Sequence, residues 1–114
     1  MIRYYVLDKN NNPKPVSVDR WAFTFEHHRR VVARETIGGV IVSTVFLGLD
    51  HSFGSGPPLI FETMVFDADE SLICRRYSTW NEAVEGHHEI VMSCKALQAM
   101  AELTVDAIVK ERNK

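Results

Sequence analysis

The stretch Val31-Val32-Ala33-Arg34-Glu35-Thr36-Ile37-Gly38-Gly39-Val40-Ile41-Val42-Ser43-Thr44-Val45-Phe46-Leu47 decides the fold. Two runs rich in β-branched residues flank Gly38-Gly39. A glycine pair in that position is a two-residue hairpin signal, because glycine enters left-handed turn conformations without a steric penalty. The second run, 40–47, is almost wholly β-branched or aromatic and reads as a central strand.

Toward the C-terminus, a loop over 48–58 carries three glycines and two prolines. Residues 59–66 form a third strand candidate, Asp67-Ala68-Asp69-Glu70-Ser71 a solvated turn, and 72–77 a fourth strand. Toward the N-terminus, 2–7 is β-rich and stops at Asp8-Lys9-Asn10-Asn11-Asn12-Pro13, a turn or loop signal. Ser17 then reads as the N-cap of a helix over 18–29. Val18, Trp21, Ala22 and Phe25 recur there at helical spacing, with Trp21 and Phe25 expected on the buried face. The expectation is one α+β domain over 1–114: an antiparallel β-meander of about four to five strands, a short N-terminal helix and a long C-terminal helix.

Thr79-Trp80-Asn81-Glu82 matches the capping box that opens a helix. From there Trp80, Val84, His87, Val91, Cys94, Leu97, Ala101, Val105 and Ile108 recur every three or four residues. Unbroken to Arg112, that helix would be roughly 48 Å long at ~1.5 Å per residue, whereas a globule of this size has a radius of gyration of ~13 Å. Either it bends near Gly86 or Ser93, or its far end leaves the body. Met92, Ala96, Met100, Leu103 and Ala107 widen its apolar face, so packing on another chain is favoured over a helical hairpin folded back on its own domain. A homo-oligomer through helix 80–112 is therefore expected.

Hydrophobic residues make up 46% and charged residues 25% of the 114, an ordinary globular balance. The net charge of -2 gives no electrostatic footprint for duplex nucleic acid or an anionic membrane. His27-His28-Arg29-Arg30 and Arg75-Arg76 are local basic clusters suited to a small anion. Cys74 and Cys94 lack C-x-x-C spacing, no run reaches the ~18 apolar residues of a membrane span, and the first residues do not read as a signal peptide. A cytoplasmic setting is expected.

The histidine pairs His27-His28 and His87-His88 are adjacent, so their side chains diverge on a helix and no i,i+4 chelate forms. Surface or packing roles are favoured, and no cofactor is expected. Ser43 and Thr44 lie mid-strand without a nucleophile-elbow motif. Cys74 sits beside Arg75 and Arg76, which could lower its pKa, although a strand cysteine is usually a buried small residue. Glu62 shares a strand face with Ile60, Met64 and Phe66. It reads as a base or, preferably, as an ion-pair partner of Arg34 or Arg76. The loop around Asp50, His51, Phe53, Gly54 and Gly56 has the composition of a binding loop, with the plain strand connector as the competing reading. Arg76, Tyr77 and Trp80 place a guanidinium, two aromatic planes and a helix N-terminus together, a combination suited to a nucleotide; the competing reading is a capped helix anchored by Trp80.

The block Val42-Ser43-Thr44-Val45-Phe46-Leu47-Gly48-Leu49-Asp50-His51-Ser52-Phe53-Gly54-Ser55-Gly56-Pro57-Pro58-Leu59-Ile60-Phe61-Glu62-Thr63-Met64-Val65-Phe66, followed by Arg76-Tyr77-Ser78-Thr79-Trp80-Asn81-Glu82-Ala83-Val84-Glu85-Gly86-His87, resembles a family of small phage and prophage proteins. The stretch after His88 is longer here than in that family. The resemblance implies a phage origin, residence in the host cytoplasm and no established enzyme activity. By analogy with small anti-defence phage proteins, it points to sequestration, without cleavage, of a nucleotide-derived immune signal of cyclic oligonucleotide or cyclic ADP-ribose type. The ligand-binding candidates are Asp50, His51, Phe53, Gly54, Gly56, Arg76, Tyr77 and Trp80, with Arg112 if the C-terminal helix reaches a neighbour's pocket. The rival readings are a protein-binding inhibitor of a host defence enzyme and a small hydrolase using Glu62 and His51.

Overall fold

In a computed structural model, which describes residues 3–28, 30–52, 54–68 and 70–113, the hairpin forms as its sequence dictates. β3 (Val31–Ile37) turns at Gly38, whose φ is +60°, into β4 (Val40–Phe46). β5 (Phe61–Asp67) and β6 (Glu70–Tyr77) complete an antiparallel sheet in the order β3-β4-β5-β6. Val42 faces Glu35 and Val65, and Thr44 faces Ala33 and Thr63. Cys74 is the extra residue of a bulge, since Thr63 pairs with Arg75 and Met64 with Ile73.

The segment after Asp8 is more than a turn. β1 (Tyr4–Leu7) pairs with β2 (Pro13–Val16), a strand that its prolines disguise. Tyr5 donates its N–H to Gly48 O at 2.7 Å, away from β2, so Tyr5 and Pro15 are a non-hydrogen-bonded pair and the N–H that Pro15 lacks is not needed. Asp8 Oδ1 closes the connection by accepting from Asn10 N at 2.8 Å and Asn12 N at 3.0 Å.

α1 (Val18–His27) starts at the Ser17 cap, whose Oγ accepts from Arg20 N at 3.3 Å. It contains no buried residue and packs against β1. The expected burial of Trp21 and Phe25 is therefore corrected: both are half-buried, because α1 stands off the four-stranded sheet.

α2 (Trp80–Arg112) opens on the capping box, Thr79 Oγ1 accepting from Glu82 N at 3.1 Å. It runs unbroken, about 50 Å at ~1.5 Å per residue. Its first half lies across all four strands of the sheet. Ala83, Gly86, His87, Ile90 and Val91 are buried there against Ile37, Val42, Phe61 and Tyr77, while Val84, expected on the inner stripe, is exposed. Gly86 is no hinge: a β-carbon there would collide with the Tyr77 ring. From residue 95 to 113 every position is exposed, and the long axis reaches 68 Å, so the far end leaves the body. No described helix is long and apolar enough to cross a membrane.

Candidate functional site

The two sequence blocks meet in a buried chain of polar groups between the sheet and α2. Thr44 Oγ1 lies 2.6 Å from Thr63 Oγ1 and 2.7 Å from His87 Nδ1, and Thr63 Oγ1 lies 3.0 Å from the Tyr77 hydroxyl. All four residues are buried. Glu35 Oε1 stands 3.4 Å from His87 Nε2, close enough for an ion pair but too poorly aligned for a hydrogen bond. Sealed from solvent, these hydroxyls and the imidazole hold α2 to the sheet and present no group to a substrate. Tyr77, a stacking candidate in the sequence, belongs to this core.

Glu62 is buried and its Oε2 accepts from Arg76 Nε at 3.1 Å, the cross-strand pair set by their facing register. Both candidates are thereby committed to each other. Asp50 ties the ends of its loop together, Oδ1 accepting from Ser52 N at 2.8 Å and Leu59 N at 3.0 Å. Burial pushes its carboxyl up, but the Ser52 backbone and side chain, Leu59 N–H and Arg3 outweigh it and hold the pKa below the ordinary value. His51 is half-buried, its backbone N–H on Leu59 O at 3.0 Å. Gly54 and Gly56 lie on the exposed loop, and Phe53 lies outside the described residues. Arg112 sits at the far end of α2, away from its own sheet.

Cys74 departs from both readings of the sequence: on its bulge it is exposed rather than buried, and its thiol is not activated. Desolvation first, and the nearby Cys94 thiol second, push its pKa up despite Arg75, whose guanidinium is paired with Glu89. Among the described residues no group of three or more His, Cys, Asp or Glu is placed to hold a metal ion. His27 stacks on Phe23 with ring centroids 4.1 Å apart, a local helix contact.

The concave site is elsewhere. Because α1 stands away from the sheet, a cleft of about 550 Å³ opens between α1, the β1–β2 hairpin, β4 and the start of α2. Trp21, Phe25, Phe46 and Trp80 supply aromatic walls, and Arg20, His28 and Arg30 supply cationic or hydrogen-bonding groups. The Trp21 ring is fixed by its Nε1 donating to Leu47 O at 3.1 Å and by contacts with Tyr4 and Phe25 at 5.2 and 5.0 Å between centroids. The Arg30 guanidinium lies 3.6 Å from the Phe25 ring centroid. Gly48, at φ +69°, permits this close approach: a β-carbon there would sit 2.6 Å from both Trp21 Nε1 and Tyr5 O.

Of the ligand-binding candidates named from the sequence only Trp80 lines this cleft, joined by His28 and Arg30 of the basic run read as suited to a small anion and by Trp21 and Phe25, which were expected in a core. The signal for the others was present in the basic run after α1 and in the two aromatics on one helix stripe. The aromatic stripe was misread because an apolar stripe ordinarily means core. No protein-family model, curated protein or solved structure matches the chain.

Proposed function

We propose that this chain is a binding protein that holds a small, flat, anionic molecule of the nucleotide class in the cleft beside α1 and releases it unchanged. The carrying observation is that the aromatic stripe of α1 is not buried in a core. It walls a cleft of about 550 Å³, within the range of small-molecule sites. Trp21 and Trp80 offer planes for stacking a base, while Arg20, Arg30 and His28 offer donors to phosphate oxygens. The sealed Thr44–Thr63–Tyr77–His87 chain and the Glu62–Arg76 pair favour binding over acid/base chemistry.

The resemblance to small phage proteins makes nucleotide-derived immune signals, cyclic oligonucleotides and cyclic ADP-ribose isomers, the first ligands to try, with the host cytoplasm as the setting. The exposed far half of α2 supports assembly as a homo-oligomer. The same exposed helix is what favours the rival reading, an inhibitor that docks on a host defence enzyme.

A depletion-and-release assay tests the proposal. The protein is incubated with a panel of these nucleotides, filtered and heat-denatured, and both fractions are chromatographed. The proposal expects one ligand to be retained and to return intact, with retention lost in Arg30→Ala. Return in altered form means an enzyme. Retention of nothing, with a stable host-protein complex in pull-downs, means the inhibitor.

A further inference from the structure

The run Asn10-Asn11-Asn12 closes the β1–β2 hairpin, and its middle residue also borders the cleft. The backbone of Asn11 sits in the left-handed region at φ +63°, where glycine and asparagine settle most easily. The turn around it is firmly tied. Asp8 N donates to Asn12 O at 2.9 Å, Asn11 N donates to Asp8 O at 3.0 Å, and Asp8 Oδ1 accepts from Asn10 N and Asn12 N. Lys14 Nζ stands 3.8 Å from Asp8 Oδ2. None of these contacts uses the Asn11 carboxamide, which is left exposed on a fixed backbone at the cleft wall.

The rest of the lining cannot tell one base from another. Aromatic planes stack on every base, because every base has a π-face. Arg20, Arg30 and His28 suit phosphate oxygens, and the Arg30 guanidinium is already placed over Phe25. Thr24 offers a single hydroxyl. Among the described lining residues only Asn11 sets a donor beside an acceptor in one plane, and none is acidic. Adenine presents the matching edge, its N6 amino donor beside a ring-nitrogen acceptor, which a carboxamide meets with two parallel bonds. Guanine presents two acceptors, O6 and N7, on one edge and the donors N1–H and N2–H2 on the other. A carboxamide on O6 and N1–H leaves N2–H2 without the carboxylate it needs, and an unmet buried donor costs affinity. Pyrimidines cover less of the tryptophan planes.

We infer that the Asn11 carboxamide reads the base edge in the cleft and makes it a site for adenine nucleotides. The inference rests on the nucleotide reading of the cleft and deepens it. Trp21 and Trp80 hold the ring by its face, the cations hold the phosphates, and Asn11 decides which base is held. The tied turn serves this role, because a carboxamide on a backbone that is already ordered loses little freedom on binding.

Asn11→Gly in the full chain is the test, since glycine keeps the left-handed turn and removes only the carboxamide. Isothermal titration with AMP, GMP, cyclic di-AMP and cyclic di-GMP reads affinity, and urea melts read the fold. The unaltered chain is expected to bind the adenine member of one pair about tenfold or more tighter than the guanine member, the worth of one bidentate contact. That preference should vanish in Asn11→Gly with the unfolding midpoint little changed, and should survive in Asn12→Gly. Asn11→Asp also tolerates the turn; it supplies the carboxylate that guanine's donors need and should shift preference toward guanine. An equal loss for both bases in Asn11→Gly means that Asn11 touches sugar or phosphate, and overturns the inference. So does a guanine preference in the unaltered chain, which an arginine would confer, or an adenine preference that Asn11→Gly leaves intact; in all three the nucleotide reading of the cleft stands. If none of the four binds, the inference falls, and if the cyclic ADP-ribose isomers fail as well, the nucleotide reading falls with it.

Discussion

The backbone of Gly86 lies directly beneath the ring of Tyr77, so close that a β-carbon at residue 86 would occupy the same space as the phenol. The two residues are nine apart in sequence but lie on different elements, and their contact sets how closely α2 approaches the sheet. The spacing brings His87 within reach of Thr44 and leaves Tyr77 its bond to Thr63.

Gly86→Ala is therefore expected to destabilise the protein, although alanine is the better helix former by about 1 kcal/mol. Overpacking against a buried ring costs about 1–3 kcal/mol and should exceed that gain. Urea denaturation should show a lower midpoint; an unchanged or raised midpoint would mean that the ring moves aside freely.

Thr44→Val keeps the shape of the side chain and removes the hydroxyl that joins Thr63 to His87. Leaving His87 Nδ1 buried without a partner should cost about 1–3 kcal/mol. The loss should shrink in the double variant that also carries His87→Leu, a coupling that a double-mutant cycle measures.

The carboxyl of Asp50 titrates below its ordinary value of 3.8, because the backbone N–H bonds on it and Arg3 outweigh the effect of burial. A depressed pKa contributes stability that is fully present above the unfolded value and is lost as pH falls through the lower, folded one. Asp50→Asn should therefore lower stability at neutral pH and flatten the acid limb below about pH 3.8. Thermal melts at several pH values across that range read both effects. Asp8 follows the same rule, held down chiefly by Asn12 N–H, so part of the acid limb should persist in the variant.

Arg30 and Arg76 should separate binding from stability. Arg30→Ala removes the guanidinium over Phe25 at the cleft and should weaken ligand binding by about tenfold or more, with the unfolding midpoint little changed. Arg76→Ala strands the buried Glu62 carboxylate and should cost about 1–3 kcal/mol of stability without a direct effect on the cleft. Isothermal titration and urea melts on both variants distinguish the two roles.

The fold was largely legible because its signals are local. Gly38-Gly39 sets one hairpin, the β-branched run fills the central strand, and Thr79 with Glu82 marks the start of α2. β2 was not, because Pro13 and Pro15 argue against a strand unless the partner's N–H groups are known to be used elsewhere. The site was harder to read for a physical reason. Trp21 and Phe25 carry the same helical spacing whether they face a core or a cleft, and only the stand-off of α1 from the sheet separates the two. Conversely, Tyr77 has ligand-binding chemistry but is consumed by Thr63 across the sheet, a pairing that one strand's sequence does not display, whereas strand alternation did offer Arg76 as one of two ion-pair partners for Glu62.

The chain has two tryptophans, Trp21 and Trp80, and both line the cleft. Titrating intrinsic tryptophan emission with cyclic oligonucleotides and cyclic ADP-ribose isomers therefore reads the central claim directly. Saturable quenching by one of them, weakened in Arg30→Ala and intact in Arg76→Ala, is the predicted result. A nucleotide retained by the protein with no change in emission would put its site elsewhere, and a flat response to the whole panel would contradict the nucleotide reading of the cleft.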